Sequence, residues 1–155
     1  MQAHARSAGF TLLELVAAAA IGGLLLSIAV PSYREYVQRL KVNQAEQDLT
    51  TIAAALERYR TVNGFKLPDT LDVMPGLPAA DAWGHPYAYL NFASPIPGIN
   101  GKIRKDHNLH PLNTEFDLYS LGADGLSAAP LTASTSQDDV IWARDGSFVG
   151  LASDF

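Results

Sequence analysis

The sequence predicts an α+β fold in which a long N-terminal helix packs on a small antiparallel β-sheet, followed by a C-terminal loop region. Two observations predict this class. A helical pattern runs from Phe10 to Asn63, and all prolines except Pro31 lie from Pro68 onward, where short strand-like segments replace it. At 155 residues, the chain suits one modest domain with its anchor.

The first half of the helix is apolar enough to cross a bilayer. The stretch Phe10–Val30 contains Glu14 as its only charged residue, and about 20 such residues span the hydrocarbon core. A removable secretory signal is the competing interpretation. Its positive region would be Arg6 alone, Glu14 would interrupt its apolar core, and the helical pattern continues beyond Ser32. We therefore predict a membrane-spanning helix over residues 10–30.

The second half of the helix is amphipathic. Pro31 lacks an N–H group, and we expect it to kink the helix rather than end it. Beyond it, apolar residues recur at steps of three and four, which places them on one helix face. These residues are Val42, Ala45, Leu49, Ile52, Leu56 and Tyr59. Asn63-Gly64 is typical of a helix C-terminus, so residues 31–155 form a domain that begins with this half of the helix.

Short segments with strand composition follow. They are Pro86–Asn91, Glu115–Ser120, Val140–Ala143 and a weaker one at Ser147–Leu151. Apolar and polar residues alternate from Phe116 to Leu121, which predicts a half-buried strand. Asn91–Thr114, here called the insertion, is predicted to be irregular. Its basic cluster Lys102–Lys105 is predicted to be a solvated face that could pair with acidic surface on a neighbouring subunit.

Composition argues against several functions. The formal net charge of −5 disfavours nucleic-acid binding, which requires a basic stripe. The chain has no cysteine, which excludes disulfides, thiolate catalysis and Cys-based metal sites. No catalytic motif is recognisable, so we predict that the protein is not an enzyme. Asp106, His107 and His110 could suggest a transition-metal site, but histidines three apart in a proline-flanked loop are more often solvated.

The start of the chain resembles the processing site of type IV pilins and type II secretion pseudopilins. A polar leader, Met1–Gly9, precedes Phe10-Thr11-Leu12-Leu13-Glu14 and the apolar helix. The resemblance implies that a prepilin peptidase cuts after Gly9 and methylates the new amine of Phe10. It also implies an assembly role for Glu14. An ionised carboxylate in lipid needs a partner, and the Phe10 amine of a neighbouring subunit is the expected cation.

A segment in the middle of the chain is similar to the Asp-Pro-Trp-Gly-x-Pro-Tyr segment of the type II secretion major pseudopilins. It spans Asp81–Leu90 and has Ala82 in place of the proline. The predicted role is structural, with Trp83 in the core and Asp81 as a turn or cap acceptor.

The C-terminal region resembles the signature at which the same family binds calcium. The matching residues are Phe116–Gly125 and Asp138–Trp142. The resemblance implies a structural Ca²⁺ bound by the side chains of Asp124, Asp138 and Asp139 and by the carbonyls of Leu121, Leu126 and Ser136. Chemistry alone favours the alternative that these aspartates cap turns in solvent. The family's loop is shorter and glycine-rich, whereas this chain has Leu126–Gln137.

Together these resemblances imply a pilin-like subunit of the helical pseudopilus, which drives protein export in a type II secretion system. Residues 10–30 would anchor it once in the bacterial inner membrane, with residues 31–155 in the periplasm. Implied partners are other copies of the chain, minor pseudopilins, the prepilin peptidase, the inner-membrane assembly platform and membrane lipid.

Two other functions remain open. The first is a major or minor type IV pilin of a surface fibre for adhesion, motility or DNA uptake. The second is a membrane-anchored enzyme or binding module. The lack of a cysteine pair and the aspartate signature favour the secretion subunit over the pilin, whereas the long insertion keeps the pilin under consideration.

Overall fold

The structure, a computed structural model, describes residues 9–155, so all of the predicted leader Met1–Gly9 except Gly9 lies outside the described residues. The chain divides into two compact units, one ending at Gln38 and the other comprising Arg39–Phe155. The helix and strands are α1 (Leu12–Val62), β1 (Ala88–Asn91), β2 (Phe116–Ser120), β3 (Val140–Ala143) and β4 (Phe148–Leu151). The predicted pilin-like α+β class is confirmed.

The first unit presents an apolar helix surface. Large side chains along it are exposed, from 87% at Phe10 to 44% at Val30. By length and composition, this helix is long and apolar enough to cross a membrane. As predicted, α1 does not end at Pro31 but continues through it.

The helix ends in a left-handed turn. Its last residue is Val62, and the N–H of Phe65 donates to the carbonyl of Arg60 at 2.8 Å. Gly64 has a φ of +66°, a conformation that glycine adopts without a steric penalty. The predicted stop at Asn63-Gly64 is therefore confirmed.

The second unit packs the amphipathic half of α1 on a four-stranded sheet of strand order β1-β2-β3-β4, within the part of the chain that the structure describes. Every neighbouring pair is antiparallel, and Leu118 in β2 lies opposite Tyr89 in β1 and Trp142 in β3. The core cluster consists of Ala45, Leu49, Ile52, Ala53, Leu56, Tyr87, Phe116, Leu118 and Val140. The predicted apolar stripe of the helix is confirmed, because it supplies most of the α1 residues in this cluster.

A second apolar cluster covers the other face of the sheet. It consists of Leu112, Leu131, Ile141, Ala143 and Ala152. Val140 belongs to the first cluster and Ile141 to the second, and successive strand residues point to opposite faces. The insertion and the segment between β2 and β3 contribute to this second cluster, so the centre of the sheet is buried on both faces.

The half-buried pattern predicted for β2 is therefore wrong. Asp117, expected on a solvated face, is only 1% exposed. The backbone N–H of Arg104 donates to one of its carboxylate oxygens at 2.6 Å, and the side-chain amide of Asn113 donates to the other at 3.2 Å. Burial raises the pKa of Asp117, while these hydrogen bonds oppose the rise. Residues of the insertion thus cover the face that periodicity assigned to water.

The solvated basic face predicted at Lys102–Lys105 is also wrong for its two middle residues. Ile103 is 9% exposed and Arg104 is 2% exposed, whereas Lys102 and Lys105 are exposed. The physical reason is that Arg104 finds buried acceptors on two other segments of the chain, described below.

Candidate functional site

The proposed processing site lies just before the first helical turn. Gly9 and Phe10 are exposed and precede α1, which begins at Leu12. A Cβ at Gly9 would meet no other atom within 4 Å, so the fold itself does not demand glycine there. Cleavage after Gly9 and methylation of Phe10 stay predictions.

Thr11 and Glu14 form a reciprocal cap at the start of α1. One carboxylate oxygen of Glu14 accepts hydrogen bonds from the N–H and the hydroxyl of Thr11, both at 2.8 Å, and the Glu14 N–H donates to the Thr11 hydroxyl oxygen at 3.2 Å. This is the capping box that Thr-x-x-Glu before an apolar run predicts, a signal that our interpretation of Glu14 missed. The cap uses no atom of Phe10, so cleavage would leave it intact. The intersubunit role of Glu14 stays a prediction.

Asp81 is a turn acceptor, as predicted. One carboxylate oxygen accepts the N–H groups of Trp83 at 3.0 Å and His85 at 2.9 Å. The other accepts the hydroxyl of Ser120 in β2 at 2.5 Å. Asp81 is 6% exposed, and Trp83 packs half-buried against the core cluster. This segment is therefore structural.

The two segments that resemble the family contact each other. The His85 Nδ1 lies 3.0 Å from the carbonyl oxygen of Gly122. A Cβ at Gly125 would overlap the His85 ring, and Gly125 has a φ of +70°, so glycine is required there on both grounds. Sequence reasoning treated these segments separately, whereas the structure packs them together.

Asp124 and Asp138 hold the turn after β2. One carboxylate oxygen of Asp138 accepts the N–H groups of Ala123 at 2.8 Å and Asp124 at 3.0 Å. A carboxylate oxygen of Asp124 accepts the N–H of Leu126 at 2.8 Å. Each of these two carboxylates therefore binds backbone amides, which is how turn-capping aspartates behave.

Asp139 has a different environment because it is fully buried. Its Oδ2 accepts hydrogen bonds from Arg104 Nη2 at 2.7 Å and from the Ser127 hydroxyl at 2.6 Å. Burial raises the pKa of Asp139 to about 6, and the bonds from Ser127 and Arg104 limit that rise. At neutral pH, Asp139 and Arg104 therefore form a buried ion pair.

Of the three predicted carbonyl ligands, the carbonyl of Ser136 already accepts a hydrogen bond. The Ser136 hydroxyl bonds to both the N–H and the carbonyl of Ala128 at 2.9 Å, and its own carbonyl accepts the N–H of Asp139 at 3.4 Å. Leu126 is 58% exposed, and Leu121 lies directly after β2.

This donor set does not fit the predicted calcium site. Calcium takes six to eight oxygens, including several carboxylates. Here Asp139 is paired with a guanidinium, and within residues 9–155 no group of three or more His, Cys, Asp or Glu side chains could hold a metal ion. The same holds for the second candidate group, in which the His107 Nδ1 lies 2.9 Å from Asp106 and His110 is exposed. Calcium binding itself stays a prediction.

Comparison with known proteins gives a match to a short N-terminal motif and matches to proteins over most of the chain. Residues 4–30 match the family described as the prokaryotic N-terminal methylation motif. Type II secretion system core protein G of Pseudomonas aeruginosa is 33% identical over an alignment that covers 77% of this chain and 86% of that protein. The protein of the same name from Aeromonas hydrophila is 29% identical, with 77% and 85% covered.

A fimbrial protein of Pseudomonas aeruginosa matches a shorter part, with 41% identity over 49 residues, or 32% of each chain. No solved structure gives a significant match. The fimbrial similarity covers about a third of the sequence, whereas the two secretion proteins match over 77% of it. The chain therefore belongs to the family of type II secretion system core protein G, the major pseudopilins.

Proposed function

We propose that this chain is a structural subunit of the pseudopilus, the helical filament that drives protein export in a type II secretion system. The observation that carries the proposal is the similarity to core protein G over most of both chains. The fold is consistent with that role, because an apolar helix surface and a separately packed sheet are what a membrane-assembled filament subunit requires. Such a subunit needs no catalytic activity.

The proposed location is the inner membrane, with the globular unit in the periplasm. The methylation motif over residues 4–30 and the exposed apolar surface of the helix support it. A prepilin peptidase would release a mature chain that begins at Phe10. The proposed partners are other copies of the chain, minor pseudopilins and the inner-membrane assembly platform.

The fimbrial similarity makes a surface pilin the second candidate. The experiment that separates the two is deletion of the gene in its own host, followed by complementation with the wild-type gene. We expect the deletion to abolish export of secreted proteins, to leave twitching motility unchanged and to be reversed by complementation. Lost motility with normal export would instead identify a type IV pilin.

A further inference from the structure

We propose that the buried guanidinium of Arg104 is a built-in cation that closes the C-terminal loop, residues 122–139, so that this loop needs no divalent metal ion. The proposal goes beyond the filament role, since it concerns how the subunit holds its own fold. It arises from the misfit between the predicted calcium site and the contacts of Asp139.

The guanidinium joins three parts of the second unit. Nη2 donates to the carboxylate of Asp139, just before β3, at 2.7 Å. Nη1 donates to the Ala128 carbonyl oxygen at 2.9 Å and to the Ser127 hydroxyl, both within the C-terminal loop. The guanidinium carbon lies 4.2 Å from the centre of the Tyr119 ring in β2, a cation–π contact. One side chain thus connects the insertion, the loop and the sheet.

The backbone around Arg104 is fixed independently of its side chain. The Arg104 N–H donates to Asp117 at 2.6 Å. The next residue, Lys105, donates its N–H to the Ala129 carbonyl at 3.0 Å and accepts the N–H of Leu131 at 2.9 Å. These bonds fix the backbone from which the Arg104 side chain extends, and such preorganisation strengthens its contact with Asp139.

Charge explains why this arrangement replaces a metal rather than accompanying one. Arginine stays protonated at any pH that proteins meet. A calcium ion bound to the same Asp139 carboxylate would lie beside this buried positive charge, and like charges repel strongly away from water. Asp139 Oδ2 accepts from both Arg104 and Ser127, whereas Asp139 Oδ1 and Arg104 Nε are buried without a hydrogen-bond partner among the described residues.

The ion pair between Arg104 and Asp139 matters for the stability of the C-terminal loop because the chain contains no cysteine. The loop has exposed turns at Asp124 and Leu126, and no disulfide is available to close it. Removing one partner of a buried ion pair is strongly destabilising because it leaves an uncompensated charge, whereas replacing both partners by apolar residues is often tolerated. This asymmetry supplies the test.

The test uses the full processed chain in detergent micelles and follows thermal unfolding by tryptophan fluorescence in calcium and in chelator. For the wild-type chain we expect the same Tm in both. We expect Arg104→Met to lower the Tm by about 10 °C and to make the C-terminal loop sensitive to protease. Lys102→Met, an exposed basic residue of the same insertion, is the matched control and should change neither.

Three results would overturn the proposal. One is a wild-type Tm that falls when calcium is removed. Another is an Arg104→Met Tm equal to that of Lys102→Met. The third concerns the double variant Arg104→Met/Asp139→Leu, which is used if Arg104→Met does not accumulate. We expect the double variant to be folded and more stable than either single variant. A double variant that is no more stable than the single variants would contradict the pairing role.

Discussion

The carboxylate of Glu14 has two properties that can be separated, its charge and its ability to accept hydrogen bonds. Within one subunit, its hydrogen-bonding role is met by Thr11. The cap does not neutralise the charge of Glu14, and an ionised group inside a bilayer needs an opposite charge nearby. The cap and the predicted pairing with Phe10 of a neighbour can therefore coexist.

Two substitutions distinguish these properties. Glu14→Gln keeps an acceptor for Thr11 and removes the charge, whereas Glu14→Ala removes both. If the charge sets assembly, both variants should be inserted and processed normally, with an intact mass that begins at methylated Phe10, yet yield no filaments by electron microscopy. Normal filaments from Glu14→Gln alone would show that capping is the essential role.

Residues differ in how far the sequence reveals their roles. Asp81 was predictable as a turn acceptor, since its partners Trp83 and His85 are two and four residues away. Arg104 was not, because its partner Asp139 is 35 residues distant and Lys102–Lys105 has no periodicity that separates a buried arginine from exposed lysines. The ligand set predicted from family resemblance did not reveal this contact either, since resemblance does not show that a guanidinium donates to Asp139.

Among the elements, α1 and β3 were predicted closely, because an apolar stripe and a short β-branched run are local signals. The strand predicted from Pro86 begins at Ala88 instead. Pro86 lacks the N–H that a sheet ladder uses, and Tyr87 directs its hydroxyl to Asp48 of α1 at 2.7 Å. For β2 the periodicity failed because burial on its second face depends on the insertion, which has no pattern of its own.

The tyrosines of β1 and β2, and the one just before β1, make the sheet sensitive to high pH. Burial raises the pKa of Tyr87, Tyr89 and Tyr119, and the Asp48 carboxylate raises that of Tyr87 further. An unfolded tyrosine loses its proton near pH 10 while these stay protonated, so stability present below about pH 10 is lost as the pH rises further.

We therefore expect the free energy of unfolding to fall above about pH 10, by about 1.4 kcal/mol per pH unit for Tyr87 alone. Phenolate absorbance from these tyrosines should appear together with loss of circular dichroism. Tyr87→Phe should make the pH dependence less steep, although it also lowers stability at neutral pH by losing the bond to Asp48. A free energy of unfolding that stays constant as the pH rises above about 10 would contradict this.

For the whole molecule, the division into two units separates folding from assembly. Among the described residues, every buried core residue lies within Arg39–Phe155. We expect a chain that begins at Arg39 to fold with a cooperative thermal transition and to remain monomeric in size-exclusion chromatography. An unfolded fragment would show that the first unit contributes to the core, and a fragment that forms filaments would show that assembly does not need the apolar helix.

The exposed apolar helix surface also determines the work needed to move a subunit out of lipid. The large side chains between Leu12 and Val30 are each roughly half to four-fifths exposed. Transferring that surface to water would cost on the order of 20 kcal/mol, more than the roughly 5–15 kcal/mol that holds a typical domain folded. A lone subunit cannot leave the bilayer at that cost. If the chain assembles as proposed, extraction and docking therefore occur as one step, in which each stretch of helix that leaves lipid is covered at once by helices of the filament. The free energy needed for each added subunit would then be only the difference between two apolar environments.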